Sequence, residues 1–170
     1  MKAQWIVFGL AMGIAALVIA SACSSGSGGK KTSTPSPLGR TTSTSGASQS
    51  QVAVTLVEYK VVPQVTSVPA GHVRFDAKNI GASTHELHVT KTDLQPNALP
   101  AKADGSVDEG ADRLTMIGRV TDIASGTQKS LTANLQPGHY VLFCNIVQTT
   151  NGQTVGHYAK GMATDFTVTQ

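Results

Sequence analysis

The chain has 170 residues, with 13 basic and 10 acidic side chains and a formal net charge of +3 at neutral pH. The basic residues are scattered along the chain, which argues against a nucleic-acid partner, because such a partner requires a basic patch. About 120 residues follow position 50, which is the size of one ordinary domain.

Residues 1–22 are predicted to be a secretory signal peptide. Lys2 precedes an apolar run at residues 5–20, and small residues follow it, as is typical of such signals. The run is somewhat shorter than the ~20 residues of a membrane-spanning helix. Residues 18–23 resemble a bacterial lipobox, which implies that Cys23 is acylated and becomes the new N-terminus. A plain signal peptide or an uncleaved anchor, with Cys23 incidental, is the alternative.

Residues 23–50 are rich in Ser, Thr, Gly and Pro and contain almost no large apolar side chain. Such a segment cannot bury a core, so we predict a disordered linker. Together with a lipidated Cys23, it would tether the following domain to the extracytoplasmic face of the cell membrane.

Residues 51–170 are predicted to form one all-β domain, a sandwich or barrel, because short strand patterns alternate with Gly/Pro turns. Period-two alternation of apolar residues and a continuous apolar run predict strands at these positions: 52–56, 73–77, 87–89, 131–135, 140–144 and 166–168. Residues 94–113 are polar and lack a period, so we predict a long loop with one helical turn near residues 108–113.

Cys144 is one of only two cysteines in the chain, the other being Cys23. If Cys23 carries lipid, Cys144 is a lone thiol in an oxidising compartment, which calls for an explanation. A buried inert cysteine is one explanation. The other is a metal site, since His157 and Met162 follow. A thiolate, an imidazole and a thioether suit copper, and two His, one Cys and a weak axial Met are the ligands of blue-copper electron-transfer sites.

The second histidine ligand must come from upstream, and the geometry of a strand favours His85. His85 shares a strand face with the apolar Leu87, whereas His88 points to the opposite face, which we expect to meet solvent. His72 and His139 lie beside Pro/Gly turns, where a solvated histidine is ordinary. His88 is therefore the main rival to His85.

Met162 on its own would usually be a core residue. It follows Gly161, which we expect to allow close approach of the backbone, and it precedes the last predicted strand. This is the place at which a loop would carry an axial ligand.

The region from about residue 52 to residue 170 resembles the cupredoxins, the small blue-copper proteins such as plastocyanin, and more closely their bacterial sulfocyanin-like members. The matching stretches are Val68-Pro69-Ala70-Gly71, Asn79-x-Gly81 before His85, Leu135-x-Pro137-Gly138-x-Tyr140-x-x-x-Cys144, and His157-x-x-x-Gly161-Met162. The resemblance implies a Greek-key β-sandwich that binds one copper ion and transfers electrons. It implies a trigonal plane of His85, Cys144 and His157, with Met162 as the weak axial ligand.

Two features depart from the family pattern. Residues 145–156 separate the Cys from the next His by more than is usual, and their Asn151-Gly152 pair predicts a hairpin that covers the copper edge or forms a partner surface. Many plastocyanin-like members have Asn after the upstream His, whereas this chain has Glu86. The hydrogen bond of that Asn is therefore expected to come from elsewhere.

These features predict a monomeric electron carrier with an unidentified redox protein as partner, not an enzyme. A multicopper oxidase would need His beside the Cys, where this chain has Phe143 and Asn145. Two alternatives stay open: an envelope protein that captures or delivers copper, and an interaction domain that has lost its metal.

Overall fold

The structure is a computed structural model, and it describes residues 49–170. The predicted signal peptide, Cys23 and the predicted linker up to residue 48 lie outside the described residues. The first strand begins at Ser50, the last residue of the predicted linker. Within residues 49–170, no helix has the length and apolar character needed to cross a membrane.

Residues 49–170 form eleven β-strands and two short 3-10 helices. The strands are β1 (Ser50–Val57), β2 (Lys60–Pro63), β3 (Ser67–Pro69), β4 (Gly71–Asn79), β5 (His85–Lys91), β6 (Thr115–Ile123), β7 (Gln128–Leu135), β8 (Gly138–Phe143), β9 (Val147–Thr150), β10 (Gln153–Gly156) and β11 (Ala163–Thr169). The 3-10 helices span Pro96–Ala98 and Tyr158–Lys160.

The strands form two main sheets that face each other across the core. One sheet has the order β2-β1-β4-β7 and the other the order β3-β11-β8-β5-β6. The pairs β1–β4 and β3–β11 are parallel, and the other pairs within these sheets are antiparallel. The rings of Phe75 on β4 and Phe166 on β11 meet edge to face between the sheets, with centroids 5.3 Å apart. The predicted all-β sandwich is therefore confirmed.

The predicted strands are all present, but three further strands were not predicted. β2 and β3 are too short to show a period. β6 contains Gly118 and is half-exposed along most of its length, so it lacks the clean alternation of apolar and polar residues on which the prediction of strands depends.

Residues 92–114, which we call the β5–β6 segment, cover the outer face of the five-stranded sheet. Leu99 and Val107 of the segment form a second buried cluster with Val141, Phe143 and Tyr158. The predicted helical turn near residues 108–113 is wrong, because these residues form non-helical turns and the short helix lies at Pro96–Ala98.

The insertion between Cys144 and His157 is a two-stranded hairpin of β9 and β10, as predicted. Its turn residues Asn151 and Gly152 have φ of +52° and +75°. Positive φ at both central residues characterises a type I′ turn, whose twist matches that of the paired strands and which Asn-Gly favours.

Candidate metal centre

His85 is the first residue of β5, and its side chain points between the two sheets. Leu87 and Val89 belong to the core between the sheets, and His85 faces the buried Cys144 and His157, which confirms that His85 lies on the core face. The prediction that His88 meets solvent is wrong, because only 1% of this residue is exposed. His88 does point to the opposite face, but the β5–β6 segment covers that face.

Cys144 follows the end of β8 and is fully buried. Its backbone N–H donates to the carbonyl of Met162 at 3.0 Å, and its Sγ accepts the N–H of Glu86 at 3.4 Å. These two hydrogen bonds connect Cys144 to the strand that carries His85 and to the loop that carries His157.

His157 opens a tight loop that returns to β11. It precedes the 3-10 helix Tyr158–Lys160, and its carbonyl accepts the N–H of Met162 at 3.1 Å. Gly161 closes the helix with φ of +95°, a left-handed conformation that glycine adopts readily. A Cβ at Gly161 would meet no atom within 4 Å, so this glycine serves the turn and not, as we expected, a close approach of the backbone.

The loop and the sheet bring three ligand atoms together. His85 Nδ1 lies 3.2 Å from His157 Nδ1, and Cys144 Sγ lies 3.5 Å from His157 Nδ1 and 3.9 Å from His85 Nδ1. The centre of this triangle is about 2.1 Å from each of the three atoms, which is close to the length of a bond between a transition metal and an imidazole nitrogen. All three residues are fully buried.

Burial keeps the three side chains uncharged before a metal binds. It raises the pKa of the Cys144 thiol to about 11 and lowers the pKa of both His85 and His157. Two imidazole nitrogens that face each other can share only one proton, whereas a cation at the centre would be bound by both lone pairs and by the thiolate. The donor set therefore fits a borderline or soft transition metal such as copper, whose binding would displace the thiol proton.

Met162 is fully buried beside this group, and its backbone is bonded to both Cys144 and His157. The loop thus brings a thioether-bearing residue into the same part of the core. Its role as the axial ligand stays a prediction.

Two residues of the β1–β2 turn, Glu58 and Tyr59, lie against the histidines although nothing in the sequence indicated it. A carboxylate oxygen of Glu58 lies 3.6 Å from His85 Nε2. The ring of Tyr59 packs edge to face on His157, with centroids 5.3 Å apart. The N–H of Ser83 donates to the same Glu58 oxygen at 2.6 Å, and backbone hydrogen bonds, first of all this one, lower the pKa of Glu58 to about 2.

Asn145 was also missed as a residue that supports the site. Its backbone N–H donates to Glu86 Oε1 at 3.1 Å, so the residue after His85 is hydrogen-bonded to the residue after Cys144. The Asn145 side chain bonds the backbone N–H and C=O of Val107 and one carboxylate oxygen of Glu109. Asn145 therefore connects the β5–β6 segment to residues 144–162, between β8 and β11, which we call the metal loop.

The other three histidines do not join the group. His88 Nε2 lies 2.9 Å from Glu86 Oε1, and the His88 ring stacks on Phe143 on the outer face of the sheet. His139 lies between the Thr92 carbonyl and the carboxylate of Asp165. His72 is exposed on β4.

Residues 13–155 match the model of the cupredoxin-like domain family, which is most of the chain. The chain belongs to this family. The matched range contains His85 and Cys144 and ends before His157. In this cupredoxin, His85, Cys144 and His157 form a potential site for a single copper ion, and copper is the predicted cofactor.

Solved structures with a similar fold include two auracyanins. The dithionite-reduced auracyanin of the photosynthetic bacterium Roseiflexus castenholzii is 24% identical over 72% of this chain and 97% of its own, with a TM-score of 0.47. For auracyanin B the identity is 23%, the coverage 72% and 89%, and the TM-score 0.49.

Rusticyanin from Thiobacillus ferrooxidans is also similar. It is 16% identical over 71% of this chain and 77% of its own, with a TM-score of 0.47. Among curated proteins, none matches this cupredoxin significantly.

Proposed function

We propose that this cupredoxin binds one type 1 copper ion and carries single electrons, and that it is not an enzyme. The observation that supports the proposal most is the convergence of His85 Nδ1, His157 Nδ1 and Cys144 Sγ within a fully buried space. Copper bound there would supply a Cu(I)/Cu(II) couple that takes up and releases one electron.

The residues would hold the ion from two directions. His85 stands on β5, in the interior of a five-stranded sheet, while Cys144, His157 and the proposed axial Met162 come from the segment between β8 and β11. Hydrogen bonds from Cys144 N–H to Met162 and from Met162 N–H to His157 limit the movement of that loop. Ligands fixed in this way change position little between two oxidation states, which is what rapid electron transfer requires.

The side chains around the site exclude water. Leu87, Leu142 and Met162 are fully buried in the cluster that includes Cys144, and Tyr59 packs on the ring of His157. An apolar shell of this kind controls solvent access and contributes to the redox potential.

The carrier is proposed to work at the extracytoplasmic face of the cell membrane, held there by acyl chains on Cys23, as a monomer with a redox protein as partner. The signal-like residues 1–22 and the lipobox-like residues 18–23 support this location. Replacement of Cys23 by Ser should move the protein from the membrane fraction to the soluble fraction and abolish incorporation of labelled palmitate. An unchanged distribution would contradict the lipid anchor.

The copper site is tested by the visible spectrum of the full chain, purified without metal and titrated with Cu(II), beside Cys144→Ala. We expect an intense thiolate-to-copper band that saturates at about one equivalent, disappears on reduction, returns on reoxidation and is absent from the variant. Absence of the band together with tight Cu(I) binding would favour copper capture or delivery. Absence of binding to either ion would overturn the metal site.

A further inference from the structure

The two histidines of the site differ in what surrounds their second ring nitrogen. Among the described residues, neither buried Nε2 has a hydrogen-bond partner, but a carboxylate oxygen of Glu58 lies 3.6 Å from His85 Nε2, whereas the ring of His157 packs on Tyr59. Only one of the two imidazoles therefore has a carboxylate behind it.

Glu58 is held in this position by the loop that leads into His85. The N–H of Ser83 donates to Glu58 Oε1 at 2.6 Å. At Gly81, a Cβ would lie 2.5 Å and 2.8 Å from the two carboxylate oxygens, so any other residue at position 81 would require the Glu58 side chain to move. The hydrogen bond from Ser83 thus holds the carboxylate beside His85.

The loop that contains Gly81 and Ser83 is held by hydrogen bonds to a buried side chain. The side chain of the buried Asn79 donates to the carbonyls of Ser83 and Ile123 at 2.7 and 2.8 Å and accepts the N–H of Gly81 at 2.8 Å. Since Asn79 fixes the loop and the loop fixes Glu58, the position of the carboxylate relative to His85 is built into the fold.

The hydrogen-bonding state of one imidazole nitrogen determines which nitrogen is free to bind a metal. The negative charge of Glu58, 3.6 Å from Nε2, favours the tautomer with the proton on Nε2 and a free lone pair on Nδ1, which is the atom that faces Cys144 and His157. An anion behind a ligand also increases the basicity of that ligand. The doubly charged ion gains more from it than the singly charged one.

We propose that Glu58 is a positioning residue that holds His85 with its proton on Nε2 and makes the site favour Cu(II) over Cu(I). The second half of this inference rests on the proposed copper site, and the first half concerns the protein without metal. Glu86, the carboxylate that follows His85 in the chain, accepts the N–H of Asn145 and lies beside His88, so it does not replace Glu58 behind Nε2.

The test compares the full chain with Glu58→Gln, which keeps an oxygen for the Ser83 N–H but removes the charge. The ring ¹⁵N shifts of His85 in the metal-free protein report the tautomer, and a redox titration followed at the thiolate-to-copper band reports the potential. We expect Glu58→Gln to lower the proportion of the Nε2–H tautomer. We also expect Cu(II) to lose about tenfold in affinity relative to Cu(I), which raises the potential of this one-electron couple by about 59 mV.

Two further variants make the result specific. Asp112→Asn removes the same charge from an exposed carboxylate of the β5–β6 segment, and screening should leave both the tautomer and the potential at their original values. Glu58→Asp keeps the charge and should lie between the original protein and Glu58→Gln in both readouts.

The outcomes separate this inference from the proposed function. If the original protein shows the copper band but Glu58→Gln has the same potential as Asp112→Asn, the role of Glu58 in the redox preference is overturned while the copper site stands. If no band forms, the copper site fails, and the ¹⁵N shifts alone decide on Glu58. An unchanged tautomer of His85 in Glu58→Gln overturns the positioning role in either case.

Discussion

The two faces of the five-stranded sheet are both buried, but by different parts of the chain. The inner face, with His85 and Leu87, packs against the four-stranded sheet and carries the ligand group at its end. The outer face, with Phe143 and His88, is covered mainly by the β5–β6 segment, and Tyr158 of the loop after His157 packs beside it. The inner core follows from the alternation along many strands, whereas the outer cover depends on one segment without a period.

The β5–β6 segment is held mainly by residues next to the ligands. Asn145, which follows Cys144, bonds the backbone of Val107. The hydroxyl of Tyr158, which follows His157, accepts the N–H of Leu99 at 2.8 Å and donates to its carbonyl at 3.2 Å. Each of these two ligands is thus followed by a residue that fixes the outer cover, so the two faces are connected through the backbone of the metal loop.

If the outer face is a second core, emptying a site on it should destabilise the protein as much as emptying a site on the inner face. Phe143→Ala, on the outer face, should lower the free energy of unfolding by about 3–5 kcal/mol, the usual cost of emptying a buried aromatic site. Phe166→Ala, on the inner face, is the matched control and should cost a similar amount, since both rings are fully buried. Denaturant unfolding measures both. A loss below about 1 kcal/mol for Phe143→Ala would be typical of a surface site.

Copper should stabilise the native state through the ligand group on the inner face. If the proposed site is correct, free Cu(II) at a hundredfold excess over its dissociation constant should stabilise the native state by about 2.7 kcal/mol, as measured by thermal unfolding with and without metal. Cys144→Ala should lose this gain. Phe143→Ala should keep most of it, because its ring points away from the ligand atoms. Equal gains for the original protein and Cys144→Ala would show that copper binds elsewhere.

The connection between the faces is tested at Asn145. Asn145→Ala should cost about 1–3 kcal/mol, because it leaves the N–H and C=O of Val107 without their partner, and it should make the β5–β6 segment more susceptible to limited proteolysis. Asn134→Ala, at an exposed position of β7, is the control and should change neither quantity. Proteolysis of the segment at the original rate in Asn145→Ala would argue against Asn145 as an anchor.

The smallest effect is expected from pH, through His139 of β8, which lies beside Thr92 at the start of the β5–β6 segment. Burial lowers the pKa of His139, but hydrogen bonds to Asp165 and to the Thr92 carbonyl outweigh it and raise the pKa above its ordinary value. Because the pKa is higher in the folded state, the stabilisation is complete below about pH 6.5, the ordinary value for histidine, and is lost as the pH rises through the raised pKa.

The measurement is the difference in free energy of unfolding between the original protein and His139→Gln at several pH values. We expect this difference to be largest on the acidic side of neutrality and to decrease towards alkaline pH. It should be modest at all pH values, since His139 and Asp165 are partly exposed to solvent. A difference that grows with rising pH would contradict the assigned sign.

Much of the inner face could be predicted from the sequence. The alternation at residues 52–56 and 73–77 predicted strands whose apolar side chains are indeed buried, and the Asn151-Gly152 pair predicted the β9–β10 hairpin. His85 could be chosen over His88 by strand parity, which is a local rule. The expected solvent exposure of His88 was wrong because parity determines the direction of a side chain and not what packs on that side.

The all-β class, most of the strands, and the residues that could donate sulfur and imidazole nitrogen could be predicted from the sequence, because periodicity and donor chemistry are properties of neighbouring residues. Tertiary structure alone decided that the Nδ1 atoms of His85 and His157 face each other beside Cys144, that Glu58 lies behind His85, and that the outer face of the sheet is covered. These features depend on contacts between residues far apart in the chain, and only the packing of the two sheets and their connecting loops brings such residues together.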